Sequence, residues 1–316
     1  MPRGIAAAGA AALLVLLSAG CRQEQATRPS FPGPTVSRPN VSRPSVVAAD
    51  GALCDLTRRL ARGTVTVQCL LQPGDDPHQL QLNPQQGRDL SQASLVLING
   101  YGLTPALERL PGTVRVAERT LGSKVPPDPH IWHDPRQAAA MVHQIRLALE
   151  TLVPEAAPEL RRREEAMAQA LRDLDRWNRD QFATIPGPKR LATSHRALAS
   201  LSRAYGLEEF PLVDEHSSSE VLRPQDLSQT LAGLNQRRPA SLFSERQPPS
   251  KALQRISELS GIPIARKALR IDGASDNLMA TLSENTCLIS ESLKGRCDRR
   301  GQGVLLQRWN AIPSSR

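Results

Sequence analysis

Two Asp-Pro-His tripeptides occur in this chain, Asp76-Pro77-His78 and Asp128-Pro129-His130, and the second runs on through Ile131-Trp132-His133-Asp134-Pro135. Proline fixes its own φ and pushes the residue before it into extended geometry, so each imidazole is presented on a stiff piece of backbone. A third histidine, His195, follows Ser194 at the end of a short apolar stretch. Imidazoles offered by three separate loops form a donor set suited to a divalent metal ion. His133, three residues after His130, would share a metal with it only on a helix. Pro135 places the helix start later, so His133 reads as cleft wall or as support for a ligand. His143 falls beside the apolar stripe of a helix and reads as structural, and His216, in Asp214-Glu215-His216-Ser217, reads as solvated.

The elements that must hold these loops alternate between strand and helix patterns. Residues 46–49 read as a strand, 53–61 as a helix stopped by Gly63, and 64–71, with alternating β-branched residues, as a strand. Asn83-Pro84 looks like a helix cap and first turn; the apolar run 95–98 is a buried strand closed by Asn99-Gly100. Residues 104–110 read as helix and 114–117 as strand. Asp134 and Pro135 open a helix whose apolar face is Ala138, Val142, Ile145, Leu149 and Leu152. A longer, heavily charged helix over 158–183 would span roughly 40 Å, more than one small domain needs, and reads as a strut ended by Pro186-Gly187-Pro188. The alternation then restarts, with strands at 190–193, 209–213, 241–243 and 262–264 and helices at 198–205, 224–235, 251–260 and 276–293. The expectation is an α/β fold of two pseudo-symmetric, doubly wound lobes joined by the strut, with the metal site in the cleft between them. The boundaries are an N-terminal lobe over 46–153, the linking helix over 154–187 and a C-terminal lobe over 188–297.

The two ends differ from this body. Residues 5–17 are uncharged, follow Arg3, and are too short for a comfortable membrane span. They end in Leu17-Ser18-Ala19-Gly20-Cys21, an order that resembles the bacterial lipoprotein box. The resemblance implies a signal peptide over 1–20 and acylation of Cys21. Residues 21–45, with Pro29, Pro32, Pro34, Pro39 and Pro44 among Ser, Arg and Gln, cannot bury a core and read as a tether. Four cysteines remain behind this export signal, an even number that points to two disulfides. Three pairings are open. Cys54 with Cys69 and Cys287 with Cys297 are preferred because each pair is local. The alternative, a four-thiolate zinc site, lacks any C-x-x-C pair and suits an oxidising compartment badly. The net charge of +9 is concentrated in Arg3, the tether and a basic tail over 298–316, leaving the body nearly neutral. With aromatic residues at 3% of the chain, no nucleic-acid footprint is expected.

Over residues 46–298 the chain resembles the solute-binding lipoproteins of zinc and manganese ABC importers. The segments that carry the resemblance are Gly74-Asp75-Asp76-Pro77-His78, Leu95-Val96-Leu97-Ile98-Asn99-Gly100, Asp128-Pro129-His130-Ile131-Trp132, Ser194-His195 and Leu242-Phe243-Ser244-Glu245. The resemblance implies that His78, His130 and His195 are metal ligands. It also implies a fourth, carboxylate ligand from a late strand-to-helix loop, which Asp272 after Arg270-Ile271 matches. Glu245 would orient a ligand histidine. The implied protein is an exported, lipid-anchored monomer, periplasmic or at the cell surface, that hands its ion to an ABC permease and its ATPase.

Three imidazoles and a carboxylate suit Zn²⁺, the ion favoured here, whereas Mn²⁺, the alternative, usually takes more oxygen ligands. Manganese carriers of this kind often have an acidic residue where His195 stands. The long His- and acid-rich loop of many zinc carriers has only residues 121–127 in its place. A zinc hydrolase is the competing class; it would need an open metal position, and no H-E-x-x-H helix occurs. An adhesive or structural lipoprotein would leave the ordered histidines without a purpose. Because ligation needs neutral imidazoles, affinity should fall as pH drops below about 6.5.

Overall fold

Strand β1 (Ser45–Ala48) runs between two parallel neighbours, and Val46 and Val47, on opposite faces of it, are both fully buried. A parallel strand covered on both faces needs such an uninterrupted apolar run. The computed structural model describes residues 43–71, 75–122, 128–214, 224–272 and 277–312. The signal segment, Cys21, the tether up to residue 42 and His216 lie outside the described residues.

From β1 the chain enters α1 (Gly51–Ala61), whose N-cap Asp50 accepts the Leu53 N–H at 2.9 Å. It then continues through β2 (Thr66–Cys69), α2 (Pro84–Gln92), β3 (Leu95–Ile98), β4 (Val114–Arg115) and α3 (Val116–Leu121). The four strands make a parallel sheet in the order β2-β1-β3-β4. α2 is opened by the expected cap, as Asn83 and Gln86 exchange side-chain-to-backbone hydrogen bonds and Pro84 sits at the first turn. α4 (Pro135–Leu152), capped by Asp134, and the 27-residue α5 (Ala157–Ala183) lead out of the first lobe.

The second lobe repeats the winding with β5 (Arg190–His195), α6 (Ala199–Tyr205), β6 (Glu208–Asp214), α7 (Pro224–Arg237), β7 (Leu242–Phe243) and α8 (Lys251–Ser260). Its sheet order is β6-β5-β7, and Ile264 bridges to Leu242 on the far side of β7, so the order of the first sheet recurs. α9 (Leu278–Ser292) and α10 (Arg299–Ala311) close the described chain.

Four expectations need correction. The helix expected over 104–110 is a single 3₁₀ turn, Pro105–Leu107, since Pro111 and Gly112 leave no room for a nucleated α-helix. Val116 and Ala117 belong to α3 rather than to a strand. The strand at 262–264 is reduced to one isolated bridge. The segment read as a basic tail holds α10, which buries Leu305 and Trp309 in the core of the first lobe, its arginines pointing outward from the same helix.

α9 touches both hydrophobic cores, with Leu278, Leu282 and Cys287 in that of the first lobe and Ile289 and Leu293 in that of the second. It packs on α5, which also reaches both cores, so α9 accompanies the expected long helix between the lobes, and α10 packs on the two of them. A buried ion pair ties α9 and α10 to α1. Arg59 Nε donates to Asp55 Oδ1 at 2.8 Å, while Asp55 Oδ2 accepts from Leu278 N and Trp309 Nε1. Arg59 also donates to the Trp309 and Ile312 carbonyls and lies 5.0 Å over the Trp309 ring. Cys54 and Cys69, and Cys287 and Cys297, stand at disulfide distance, with Cα separations of 5.5 and 5.1 Å. Among the described residues no helix is long and apolar enough to cross a membrane.

Candidate metal centre

The repeated Asp-Pro-His has a local physical reason. In each copy the aspartate accepts the backbone N–H of its own histidine, Asp76 from His78 at 2.9 Å and Asp128 from His130 at 3.0 Å. This is the tight Asx geometry that aspartate before proline favours. The first copy opens the 3₁₀ turn Pro77–Gln79, and the second leads into the turn Ile131–His133. Asn99, fully buried at the end of β3, holds the second loop by donating to the Pro129 carbonyl at 2.6 Å.

Carboxylates behind two of the rings decide which nitrogen faces inward. His130 Nδ1 donates to Asp128 Oδ1 at 2.7 Å, and His195 Nδ1, at the end of β5, donates to Glu245 Oε2 at 2.7 Å. Each Nε2 is thereby the nitrogen turned toward the centre, and in the neutral ring it is the one that carries the free lone pair. Asp128 Oδ2 also accepts the Ala199 N–H at the start of α6, and Glu245 Oε1 accepts the His195 N–H, so both carboxylates hold backbone as well as ring. Trp132 is fully buried with its ring edge-on to His130 at 5.3 Å.

The four expected ligand residues come together. Asp272 Oδ1 lies 2.9 Å from His130 Nε2, 3.5 Å from His78 Nε2 and 4.0 Å from His195 Nε2. One donor atom from each residue falls within 4.8 Å of all the others, and the three ring centroids are 5.3 to 5.6 Å apart. Tetrahedral bonds of 2.0–2.1 Å require donor separations of roughly 3.3 Å, inside the observed spread. His78 Nε2 and His195 Nε2 are buried without a hydrogen-bond partner, a costly state for a polar atom unless a cation occupies the centre.

The electrostatics favour a cation there. Burial alone would raise the Asp272 carboxyl, but the hydrogen bond from His130 and the surrounding histidines outweigh it and hold the group well below the usual carboxylate range. Burial also opposes a charge on His130, yet Asp128 and Asp272 push its pKa up to about 10; Glu245 raises His195 in the same way. A positive charge shared among these carboxylates is what the site stabilises.

His133 does not join the four. Its ring is 1% exposed and its Nε2 donates to the Ile271 carbonyl at 3.1 Å, one residue before Asp272. Burial and the neighbouring His130 push its pKa down to about 4, so it is neutral. His143 lies elsewhere, on the exposed side of α4, paired with Glu164 of α5 at 2.7 Å. Glu209 escaped notice in the sequence. It accepts the Ala197 and Leu198 N–H groups at 3.0 and 2.8 Å and so steadies the turn after His195. A lone glutamate at a strand position carries no sequence signal for that role.

A family profile described as the periplasmic component A of zinc-uptake complexes matches residues 46–291. Among relatives, the zinc-binding protein TroA of Treponema pallidum is 29% identical over 227 residues, covering 67% of this chain and 73% of its own. The manganese-binding lipoprotein MntA of Halalkalibacterium halodurans is 26% identical over 264 residues, covering 80% and 85%. The crystal structure of Fe(III)-bound YtgA from Chlamydia trachomatis superposes with a TM-score of 0.74 at 23% identity, over 81% of this chain and 99% of that one. That of periplasmic TroA superposes with a TM-score of 0.72 at 26% identity, over 80% and 99%. With the profile spanning most of the two-lobed body, the chain belongs to the ZnuA family of metal-binding solute-binding proteins, which serve transport rather than catalysis.

Proposed function

We propose that the protein captures Zn²⁺ outside the cytoplasm and delivers it to an ABC permease driven by its ATPase. The observation that carries this reading is the convergence of three imidazole Nε2 atoms and one carboxylate oxygen within 4.8 Å of one another. His78 and His130 reach the ion from the first lobe, and His195 and Asp272 from the second. Four protein donors leave no position for an exchangeable water, so the ion is held as cargo rather than used as a Lewis acid. Glu245 keeps His195 in the ligating tautomer, and His133 supports the site from behind.

A donor set of three nitrogens and one oxygen favours zinc, as does the zinc-binding name of TroA. Manganese is the second reading, since MntA is named as a manganese-binding protein and PsaA of Streptococcus mitis as a manganese transporter component. Elemental analysis of purified protein, followed by competition between Zn²⁺ and Mn²⁺, separates the two. Preferential retention of Mn²⁺ would overturn the zinc reading, and retention of neither metal would overturn the receptor itself. The chain works as a monomer held at the membrane through Cys21, in keeping with the lipoprotein names of MntA and PsaA. Cys21→Ser should release it from membrane fractions; persistent membrane association would reject the anchor.

A further inference from the structure

We infer that His133 is a positioning residue for Asp272, a latch across the cleft that sets how long the metal stays bound. The inference rests on the ligand set proposed above. His130 and His133 belong to one short stretch of the first lobe, the histidine and the 3₁₀ turn Ile131–His133 that follows it. His130 meets the Asp272 carboxylate at 2.9 Å, and His133 holds the carbonyl of Ile271, the preceding residue, at 3.1 Å. A carbonyl can only accept, so His133 Nε2 is the donor. Both ends of this bond are buried, His133 at 1% and Ile271 at 3% exposure. Losing it would leave a desolvated carbonyl unpaired.

The loop that carries Asp272 is gripped from the other side as well. Asn285 of α9 accepts the Arg270 N–H at 2.9 Å and donates to the Arg270 carbonyl at 2.7 Å. Residues 270 to 272 are thus pinned to the shared helix α9 by Asn285 and to the first lobe by His133. Trp132 packs against both histidines, edge-on to His130 with ring centroids 5.3 Å apart and tilted to His133 at 5.5 Å, which couples the ligand to the latch. For Asp272 to withdraw from the ion, the His133 bond must break. The bond holds the arrangement in which Asp272 meets the ion, so its loss is expected to show in the dissociation rate.

The test is Zn²⁺ release into a strong chelator, followed by stopped flow, for the wild type and the variants His133→Phe, His133→Asn and His133→Gln. Phe keeps the ring volume without a donor. Asn is polar but too short to reach, and it serves if Phe does not pack. Gln retains an N–H at a similar reach. Phe and Asn should bind one Zn²⁺ per chain yet release it about 10–100-fold faster, the range typical of residues that orient a ligand. Gln should stay near the wild-type rate. In an Asp272→Ala background His133→Phe should add nothing further, because its effect runs through Asp272. Wild-type release by both Phe and Asn, or an undiminished effect in the Asp272→Ala background, would overturn the latch. If Asp272→Ala binds Zn²⁺ as tightly as wild type, the ligand set itself fails and the latch falls with it. If Asp272→Ala weakens binding while the His133 variants do not, the latch alone fails.

Discussion

A carboxylate behind an imidazole chooses which of its nitrogens is free, and here that choice is made twice, by Asp128 for His130 and by Glu245 for His195. The ligand assignments follow at the same scale. Replacing His78, His130 or His195 by alanine removes a donor from the proposed four-donor site and should weaken Zn²⁺ binding by well over the roughly 100-fold that supporting residues contribute. Titration against a chelator of known affinity measures this. His143→Ala, whose ring faces solvent and Glu164, should leave binding unchanged. Protons compete with the metal for the same lone pairs. Asp128 and Asp272 push the metal-free His130 up to about 10, so at neutral pH binding must expel its proton. Apparent affinity should therefore rise with pH, by about tenfold per pH unit for each proton expelled. Chelator competition between about pH 5 and pH 8 reads the slope; an affinity flat across that window would contradict imidazole ligation.

Individual elements differ in how much of their form is local. The opening of α4 is local. Asp134 accepts the Arg136 N–H, and Pro135 supplies a preset φ, a pairing legible in the sequence. The 104–110 stretch is not, because its apolar residues mimic a helical period while Pro111 and Gly112 cut it to one turn. The covalent links across elements can be tested directly. Cys54 of α1 and Cys69 of β2 are 15 residues apart, and closing such a loop is worth about 3 kcal/mol in the chain-entropy picture. Cys54→Ala/Cys69→Ala should lower unfolding free energy by about that amount in denaturant titrations. Non-reducing peptide maps should show Cys54–Cys69 and Cys287–Cys297; free thiols, or links between the two pairs, would reject the pairing.

At the scale of the whole molecule, the lobes are joined by the long helix α5 with α9 beside it, and α10 packs on both to complete a layer. A layer resists bending more than a single helix does, so metal binding should produce small lobe shifts. The C-terminal helix is part of that layer, since Trp309 is fully buried and its indole N–H donates to Asp55. Trp309→Ala should cost about 3–5 kcal/mol, in the range of large-to-small core substitutions. Truncation after residue 297 should prevent stable folding. A dispensable basic tail would instead leave the melting temperature untouched, and thermal melts of both variants decide the matter.

Residue chemistry and short-range order were legible from the amino acids alone. The doubled Asp-Pro-His and Ser194-His195 stand out because a metal site needs rare residue types in stiff loops, Asp272 only through the family resemblance, and the parallel strands because burial on both faces demands unbroken apolar runs. Partners in space were not legible. The family resemblance pointed Glu245 at a ligand histidine without saying which one, and nothing in the linear order says that His133 reaches the Ile271 carbonyl or that Glu209 holds the turn at Ala197. Nor does it say that a stretch rich in arginine buries Trp309 against Asp55 and Arg59. Those contacts join residues far apart in the chain, and only the packing of two lobes against shared helices brings them within hydrogen-bonding range. The tertiary structure thus decided how the four donors are oriented and held, while the sequence determined which donors there would be.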